Sequence, residues 1–114
     1  MKGAELKTHW YYILLSLAAE DRHGLGIARD VDSLSEGRVR LWPASLYGAL
    51  TELCDRRWID ELDDDRRPSE ESERRRYFRL TRAGRAVMEG ETRRLAALVR
   101  TARARVRPRT RVSS

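Results

Sequence analysis

The hydrophobic positions of this chain repeat at helical spacing in four segments. The first segment predicts a helix over about residues 4–19, because its apolar side chains recur three or four positions apart. Its principal stripe consists of Leu6, Trp10, Ile13, Leu14 and Leu17. Tyr11 and its neighbours widen this stripe beyond one face, so we expect the helix to contact both the core and a partner chain.

Two shorter helices are predicted over residues 25–34 and 43–57. Gly37 favours an end to the earlier helix. Pro43 suits the first turn of the later helix, where its missing N–H costs nothing. The expected inward positions are Ile27, Val31 and Leu34 in the earlier helix and Leu46, Ala49, Leu50, Leu53 and Cys54 in the later one.

A hairpin and a last helix complete the pattern. Residues 58–62 and 75–80 have the composition and brevity of strands, and a charged loop over residues 63–74 joins them. Thr81 is expected to cap a helix over about residues 82–105. The apolar stripe of that helix consists of Val87, Leu95, Leu98, Val99 and Ala102.

This order of elements predicts a mainly α fold with a small β-hairpin. We interpret it as a winged helix-turn-helix followed by a C-terminal dimerisation helix. The winged helix-turn-helix domain would occupy residues 1–81, with its first helix also in the dimer interface. The dimerisation helix would occupy residues 82–106, and residues 107–114 would form a basic, disordered tail.

The composition excludes several classes of protein. A length of 114 residues suits one domain, and 37% charged residues favour an oligomer that buries additional apolar area. Cys54 is the single cysteine, so no disulfide forms within the chain and a reducing compartment is expected. Because no apolar run reaches the ~18 residues of a membrane span and no signal-peptide pattern is present, we expect a soluble, cytoplasmic protein without a membrane partner.

The positive charge is concentrated at the C-terminal end. The formal net charge is +6. Residues 77–114 contribute +9, whereas residues 1–60 contribute −1 and residues 61–76 contribute −2. The basic tail could add sequence-independent affinity for DNA or simply be solvated. A high isoelectric point alone therefore does not place DNA on the third helix.

The third helix carries the strongest candidate binding surface. The face opposite its apolar stripe is small and hydroxylic in the first half, which permits close approach to a groove floor. In the second half this face is acidic, which phosphates would repel. Its candidate contacts are Ala44, Ser45, Tyr47, Gly48 and Thr51. Such a helix would enter the major groove by its N-terminal end; the alternative is an outer face that is only solvated.

Arginines flank this helix on both sides in the sequence. The candidate phosphate contacts are Arg38 and Arg40 before the helix and Arg74, Arg75 and Arg76 at the base of the hairpin. The tip of the hairpin is acidic, so only the base of this wing is expected to approach DNA. The alternative is that these arginines are ordinary solvated surface charge.

Few residues could support catalysis. His9 lies beside the apolar stripe of the first helix and suits an interface or the core. His23 precedes Gly24 and suits either a cap of the second helix or a phosphate contact. Cys54 lies on an apolar stripe and suits a core position better than a nucleophile. Neither metal-ligand spacing nor a glycine-rich phosphate loop is present, so we expect no enzyme activity, no cofactor and no metal.

Together, these segments resemble the PadR family of bacterial transcriptional regulators. The resemblance rests on His23–Gly24, Leu41–Leu50, Arg74–Thr81 and Ala83–Arg85, and it extends over about residues 5–100. The short C-terminal helix is similar to the compact branch of that family. The resemblance implies a homodimeric repressor that binds a palindromic operator in double-stranded DNA. For some members it also implies release from DNA by a small-molecule effector.

The resemblance implies roles for particular positions. Ser45 and Tyr47 match contacts of the recognition helix, His23 and Gly24 match the start of the second helix, and Arg74–Arg76 match the wing. Dimerisation would use the first and last helices. The expected interface residues are Leu6, Trp10, Tyr11, Leu14, Leu95, Leu98, Val99 and Ala102.

Two departures from the family pattern concern binding. Leu25 follows His–Gly, where the family often has a tyrosine. No tryptophan follows Trp58, whereas the branch that traps planar drugs has one on its C-terminal helix.

The alternative to a DNA-binding repressor is a winged-helix protein-interaction module without specific DNA binding.

Overall fold

A computed structural model of the protein describes residues 6–62 and 76–107. Its elements in chain order are α1 (Thr8–Ala19), β1 (Arg22–His23), α2 (Gly24–Leu34), α3 (Pro43–Asp55), β2 (Ile59–Glu61), β3 (Tyr77–Leu80) and α4 (Arg82–Val106). In the described residues the strands form one antiparallel sheet in the order β1–β3–β2. The mainly helical class with a small sheet confirms the predicted fold.

The core forms where α1, α2 and α3 meet the sheet. The fully buried side chains include Ile13, Leu14, Ile27, Val31, Leu50, Leu53, Ile59 and Phe78. The helical stripe predicted for α1 therefore faces inward. Trp10 and Leu14, which were expected at a dimer interface, are buried within this core. Their burial inside one chain leaves them no surface to offer a partner.

The inward position predicted for Leu34 is wrong, because this side chain is 43% exposed. The backbone turns sharply at the end of α2, where Glu36 and Gly37 both have positive φ angles, of 55° and 81°. This turn buries Ser35 instead. The Ser35 hydroxyl accepts a hydrogen bond of 2.8 Å from the Val39 backbone N–H and so holds the connection to α3.

Cys54 is half-buried, at the edge of the core and not within it. Burial raises the pKa of its thiol, and the nearby carboxylate of Glu61 raises this pKa further. Both effects disfavour the thiolate, which is the reactive form. The prediction that Cys54 is not a nucleophile is consistent with this environment.

Strand β1 was not predicted. It consists of two residues, Arg22 paired with Phe78 and His23 paired with Tyr77. Two residues are too few to show the alternation that marks a strand, so the segment between the first two predicted helices carries no strand signal. The predicted hairpin is therefore two strands of a three-stranded sheet.

The wing is described at its base. Ile59 pairs with Leu80, and Asp60 pairs with Arg79, whose guanidinium lies 3.4 Å from the Asp60 carboxylate. The loop predicted over residues 63–74 lies outside the described residues, as do Arg74, Arg75, the first five residues of the chain and residues 108–114 of the predicted tail.

The start of α4 is tied to the end of α3. Thr81 caps α4 as predicted: its Oγ1 accepts a hydrogen bond of 2.9 Å from Gly84 N–H and donates one of 2.8 Å to Arg57 O. Gly84 packs directly against the Trp58 carbonyl group. Farther along α4, Thr92 makes a hydrogen bond of 2.7 Å with the hydroxyl of Tyr11 in α1.

The contact at Gly84 generates a stability prediction. A Cβ added to Gly84 would collide with the carbonyl oxygen of Trp58. Because backbone atoms must then shift, Gly84→Ala is expected to lower the free energy of unfolding by about 2 kcal/mol. Gly90→Ala is the matched control in the same helix, since its nearest atom would be an Arg93 nitrogen at 3.9 Å. Gly90→Ala should stabilise the protein by ~0.5–1 kcal/mol. Chemical denaturation measures both variants, and a change of the same sign in the two free energies of unfolding would contradict the predicted collision at Gly84.

Candidate nucleic-acid interface

The N-terminal half of α3 presents an open surface. Trp42 is the N-cap residue, and its carbonyl accepts the first helical hydrogen bond, 2.8 Å from Leu46 N. Leu46, Ala49, Leu50 and Leu53 are buried, so the opposite side of the helix faces outward. The exposed residues on that side are Ala44, Ser45, Gly48 and Thr51. Small side chains there allow the helix backbone to approach a partner closely.

Two of these positions have further structural detail. A Cβ on Gly48 would meet no atom within 4 Å, so this surface is open at its centre. The Thr51 hydroxyl donates a hydrogen bond of 2.9 Å to Tyr47 O, one turn earlier. Its proton is therefore used within the helix, and the hydroxyl oxygen faces outward as an acceptor.

Three predicted site residues converge beside this surface. The Tyr47 side chain lies on Gly24, where an added Cβ would collide with the tyrosine hydroxyl and lie 2.8 Å from its Cζ. The Gly24 N–H donates a hydrogen bond of 3.2 Å to Arg76 O. The Arg76 guanidinium carbon lies 5.4 Å from the centre of the Tyr47 ring. The third helix, the start of α2 and the base of the wing therefore meet at one point.

Arg76 is held by an acidic partner that the sequence analysis did not identify. Its Nε and Nη2 donate hydrogen bonds of 3.0 and 2.9 Å to the two carboxylate oxygens of Glu61. These bonds raise the pKa of Arg76 above its usual value. The negative carboxylate offsets much of the positive charge of Arg76. It stays in place because a bidentate arginine–carboxylate pair is a strong, directional contact.

His23 caps α2. Its Nδ1 accepts a hydrogen bond of 3.1 Å from Gly26 N–H, which confirms the cap among the two roles considered for this residue. Its ring also packs edge-to-face on Tyr77, with ring centres 5.4 Å apart. Strand β1 thus orients the start of α2 against the wing.

The arginines that precede α3 line a cleft beside its first turn. Arg38, Arg40 and Ser45 border this cleft of about 340 Å³ together with His9. Arg40 also lies 3.5 Å from the carboxylate of Asp32. Burial lowers the pKa of His9, and the neighbouring Lys7 lowers it further. The predicted phosphate contacts Arg38 and Arg40 therefore lie close to the predicted base-edge contact Ser45.

Within residues 6–62 and 76–107, no cluster of His, Cys, Asp or Glu side chains is arranged to hold a metal ion. Over the same ranges, no helix is both long enough and apolar enough to cross a membrane.

Comparison with known proteins identifies the family. The model of the transcriptional regulator PadR-like family matches residues 13–90. This chain belongs to the PadR-like family of transcriptional regulators. The resemblance found in the sequence is therefore confirmed. Members of this family are transcriptional regulators and not enzymes.

Individual relatives agree with this assignment. An uncharacterised 37.1 kDa protein in transposon TN4556 of Streptomyces fradiae is 38% identical over 86 residues, which are 75% of this chain. The chain spans 22% of the length of that protein. A transcriptional regulator from Clostridium thermocellum has the same fold, with a TM-score of 0.66, 21% identity and coverage of 85% of this chain and 91% of that one. A PadR family regulator from Clostridium difficile has a TM-score of 0.62, 19% identity and coverage of 84% and 96%.

The contact between Tyr47 and Gly24 in this PadR-like chain is directly testable. Gly24→Ala is expected to lower the free energy of unfolding by ~1–2 kcal/mol, because the new methyl group displaces the tyrosine ring. In a Tyr47→Ala background the same substitution should cost almost nothing, so the two effects are non-additive.

Gly26→Ala is the control for this cycle. Its added Cβ would meet its nearest atom at 3.6 Å, an ordinary contact with the His23 ring, and the variant should be at least as stable as the parent protein. Denaturant titrations of the parent protein, the two single variants, the double variant and the Gly26→Ala control measure these changes in the free energy of unfolding. Simple additivity of Gly24→Ala and Tyr47→Ala would show that the two residues do not press on each other.

Proposed function

We propose that this PadR-like regulator is a sequence-specific repressor that binds a palindromic operator as a homodimer. The observation that carries the proposal is the meeting of α3, the start of α2 and the wing base through Tyr47, Gly24 and Arg76. This arrangement orients a helix N-terminus, a helix cap and a hairpin toward one surface, as a DNA-binding winged helix requires. Such a regulator would act in the cytoplasm, where its operator lies.

The N-terminal half of α3 would enter the major groove. Ala44, Ser45, Tyr47, Gly48 and Thr51 would line the contact. All of them except Tyr47 are small, which permits close approach. The free N–H groups of the first turn and the helix dipole favour a phosphate there. In the C-terminal half, exposed acidic side chains would stay clear of the phosphates.

Most of the affinity would come from arginines around the helix. Arg38 and Arg40 lie beside the first turn, and Arg74 and Arg75 are the corresponding candidates at the wing. Because Arg76 already binds Glu61, we assign it mainly the task of positioning Tyr47 and the wing. His23 would contact the DNA backbone where α2 begins. The expected DNA contact of Gly24 is not available, because Gly24 is buried beneath Tyr47 and its N–H donates to Arg76 O.

The salt dependence of DNA binding tests this division of roles. Arg38→Ala is expected to reduce the slope of log affinity against log salt by about one unit, since one phosphate contact is lost. Arg56→Ala is the control at the opposite end of α3, where the guanidinium packs on Trp10 and Trp58. Arg56→Ala should retain the slope of the parent protein. The DNA in these measurements is a binding site selected from random sequences. If selection enriches no sequence, the proposed function is wrong.

The homodimer would form through α1 and α4. Beyond Thr92, α4 exposes apolar side chains, with Leu98 55% and Val99 47% exposed. These residues lie on the predicted stripe with Leu95 and Ala102. Tyr11 of α1 and Leu6, which lies just before this helix, are half-buried and are the remaining candidates in that part of the chain. Two copies would place their recognition helices in half-sites about 34 Å apart.

Substitutions in α4 test the dimer. Leu98→Asp combined with Val99→Asp is expected to convert the protein to a monomer, because two charges would replace apolar contacts at the interface. Ala97→Asp is the control, since position 97 lies on the opposite side of the helix and is exposed. Sedimentation velocity reports the mass of each variant. A monomeric parent protein, or a dimer that survives the double substitution, would contradict the assigned interface.

Release by a small-molecule effector, which the resemblance implies for some members of the family, would be tested by adding ligands to the preformed DNA complex. A protein-interaction module is the second candidate, favoured by an α3 surface without lysine or arginine and by the Arg76–Glu61 pair. Binding to DNA that is weak, insensitive to sequence and unaffected by Arg38→Ala would favour that candidate.

A further inference from the structure

Trp42 is an exposed aromatic side chain at the entrance to α3. Its indole is 65% exposed, although its backbone is the N-cap of this helix. The other two tryptophans of the chain, Trp10 and Trp58, are 2% and 8% exposed. Large aromatic side chains are usually well buried in a single domain. The exposure of Trp42 therefore requires an explanation that the core does not supply.

The surroundings of Trp42 combine apolar and basic groups. The indole borders a cleft of about 310 Å³ between α2 and the segment that precedes α3. The other lining residues are Ala28, Arg29, Asp32, Arg40 and Leu41. Asp32 is paired with Arg40 at 3.5 Å, so it offsets part of the charge of that arginine. Arg29 contributes a second guanidinium, and the cleft is positive beside an aromatic face.

This combination suits nucleic acid. Aromatic faces pack on sugars and bases, while neighbouring guanidinium groups attract phosphates. Trp42 lies two and three positions before Ala44 and Ser45, which belong to the surface proposed to enter the major groove. In a helix-turn-helix the N-terminal residues of the recognition helix contact base edges in the major groove, so the residue that caps this helix lies close to the duplex.

We propose that Trp42 is a DNA contact that packs its indole on the sugar–base surface at the edge of the major groove, with Arg29 and Arg40 at the adjacent phosphates. This inference rests on the proposed function. Its occupant is duplex DNA and not a second copy of the chain, because the apolar residues proposed for dimerisation lie on α4 while the Trp42 cleft carries two arginines.

Quenching of tryptophan fluorescence by acrylamide tests the contact in the unmodified protein. All three tryptophans lie in the described residues, and only Trp42 among them is open to a quencher. The measurement compares the free protein with the protein saturated by its selected DNA site, excited where DNA does not absorb. We expect the quenchable fraction of the emission to fall strongly when DNA binds, and a Trp42→Phe variant to show no such fraction in either state.

The outcomes separate this inference from the proposed function. If DNA binds, as shown by anisotropy of a labelled duplex, while Trp42 stays as quenchable as in the free protein, the contact is wrong and the proposed function stands. If no DNA binds, both are wrong. If Trp42 becomes protected as the protein alone is concentrated, a second copy covers it and the inference is overturned.

A pair of matched variants gives a second readout. Trp42→Ala is expected to weaken binding to the selected site about tenfold, a change of 1.4 kcal/mol on the standard conversion. Leu34→Ala is the control, because Leu34 is also an exposed apolar residue but lies on the opposite side of α2 from Arg29 and Asp32, which line the cleft. The control should bind like the parent protein. Equal affinity of Trp42→Ala and the parent protein, with both folded by circular dichroism, would remove Trp42 from the interface.

Discussion

The pairing of β1 with β3 is the interaction on which the arrangement of the site depends. Two residues, Arg22 and His23, join the edge of the wing, and the next N–H, from Gly24, donates to Arg76 O. This short pairing fixes where α2 begins relative to the wing. It also leaves Gly24 beneath the Tyr47 ring, where a larger residue would collide. At the site, backbone hydrogen bonds and one close contact therefore position the recognition helix, the preceding helix and the hairpin, which also share the buried core.

The charge on and around α3 is not what the high isoelectric point alone would suggest. The exposed face of α3 has small and hydroxylic residues in its N-terminal half, and Arg76, the arginine described at the base of the wing, is paired with Glu61. Arg38 and Arg40 border the first turn, where a helix N-terminus already favours a phosphate. In the proposed complex, shape and hydroxyl groups would come from the helix itself. Arginines from the adjoining segments would supply the attraction to the duplex.

The two halves of α4 have different surroundings. The first half is anchored by the Thr81 cap, by the contact of Gly84 with Trp58 O and by the Tyr11–Thr92 hydrogen bond. The second half extends past these anchors with its apolar stripe exposed. In proteins most of the stability of a helix comes from packing of its apolar face, and within one chain the second half of this 25-residue helix lacks that packing. A partner chain on that stripe, as proposed, would supply the missing burial.

The sequence by itself indicated the family through its motifs, and its local patterns determined the helices, the buried stripe of α3 and the Thr81 cap, because each of these three depends on residues close together in the chain. It could not determine β1, the exposure of Leu34 or the Arg76–Glu61 pair. A strand of two residues has no periodic signal, and a turn with positive φ angles redirected the end of α2. The convergence of Gly24, Tyr47 and Arg76 joins segments far apart in sequence. Only the tertiary structure decided it, because steric fit and backbone pairing between distant segments leave no local pattern.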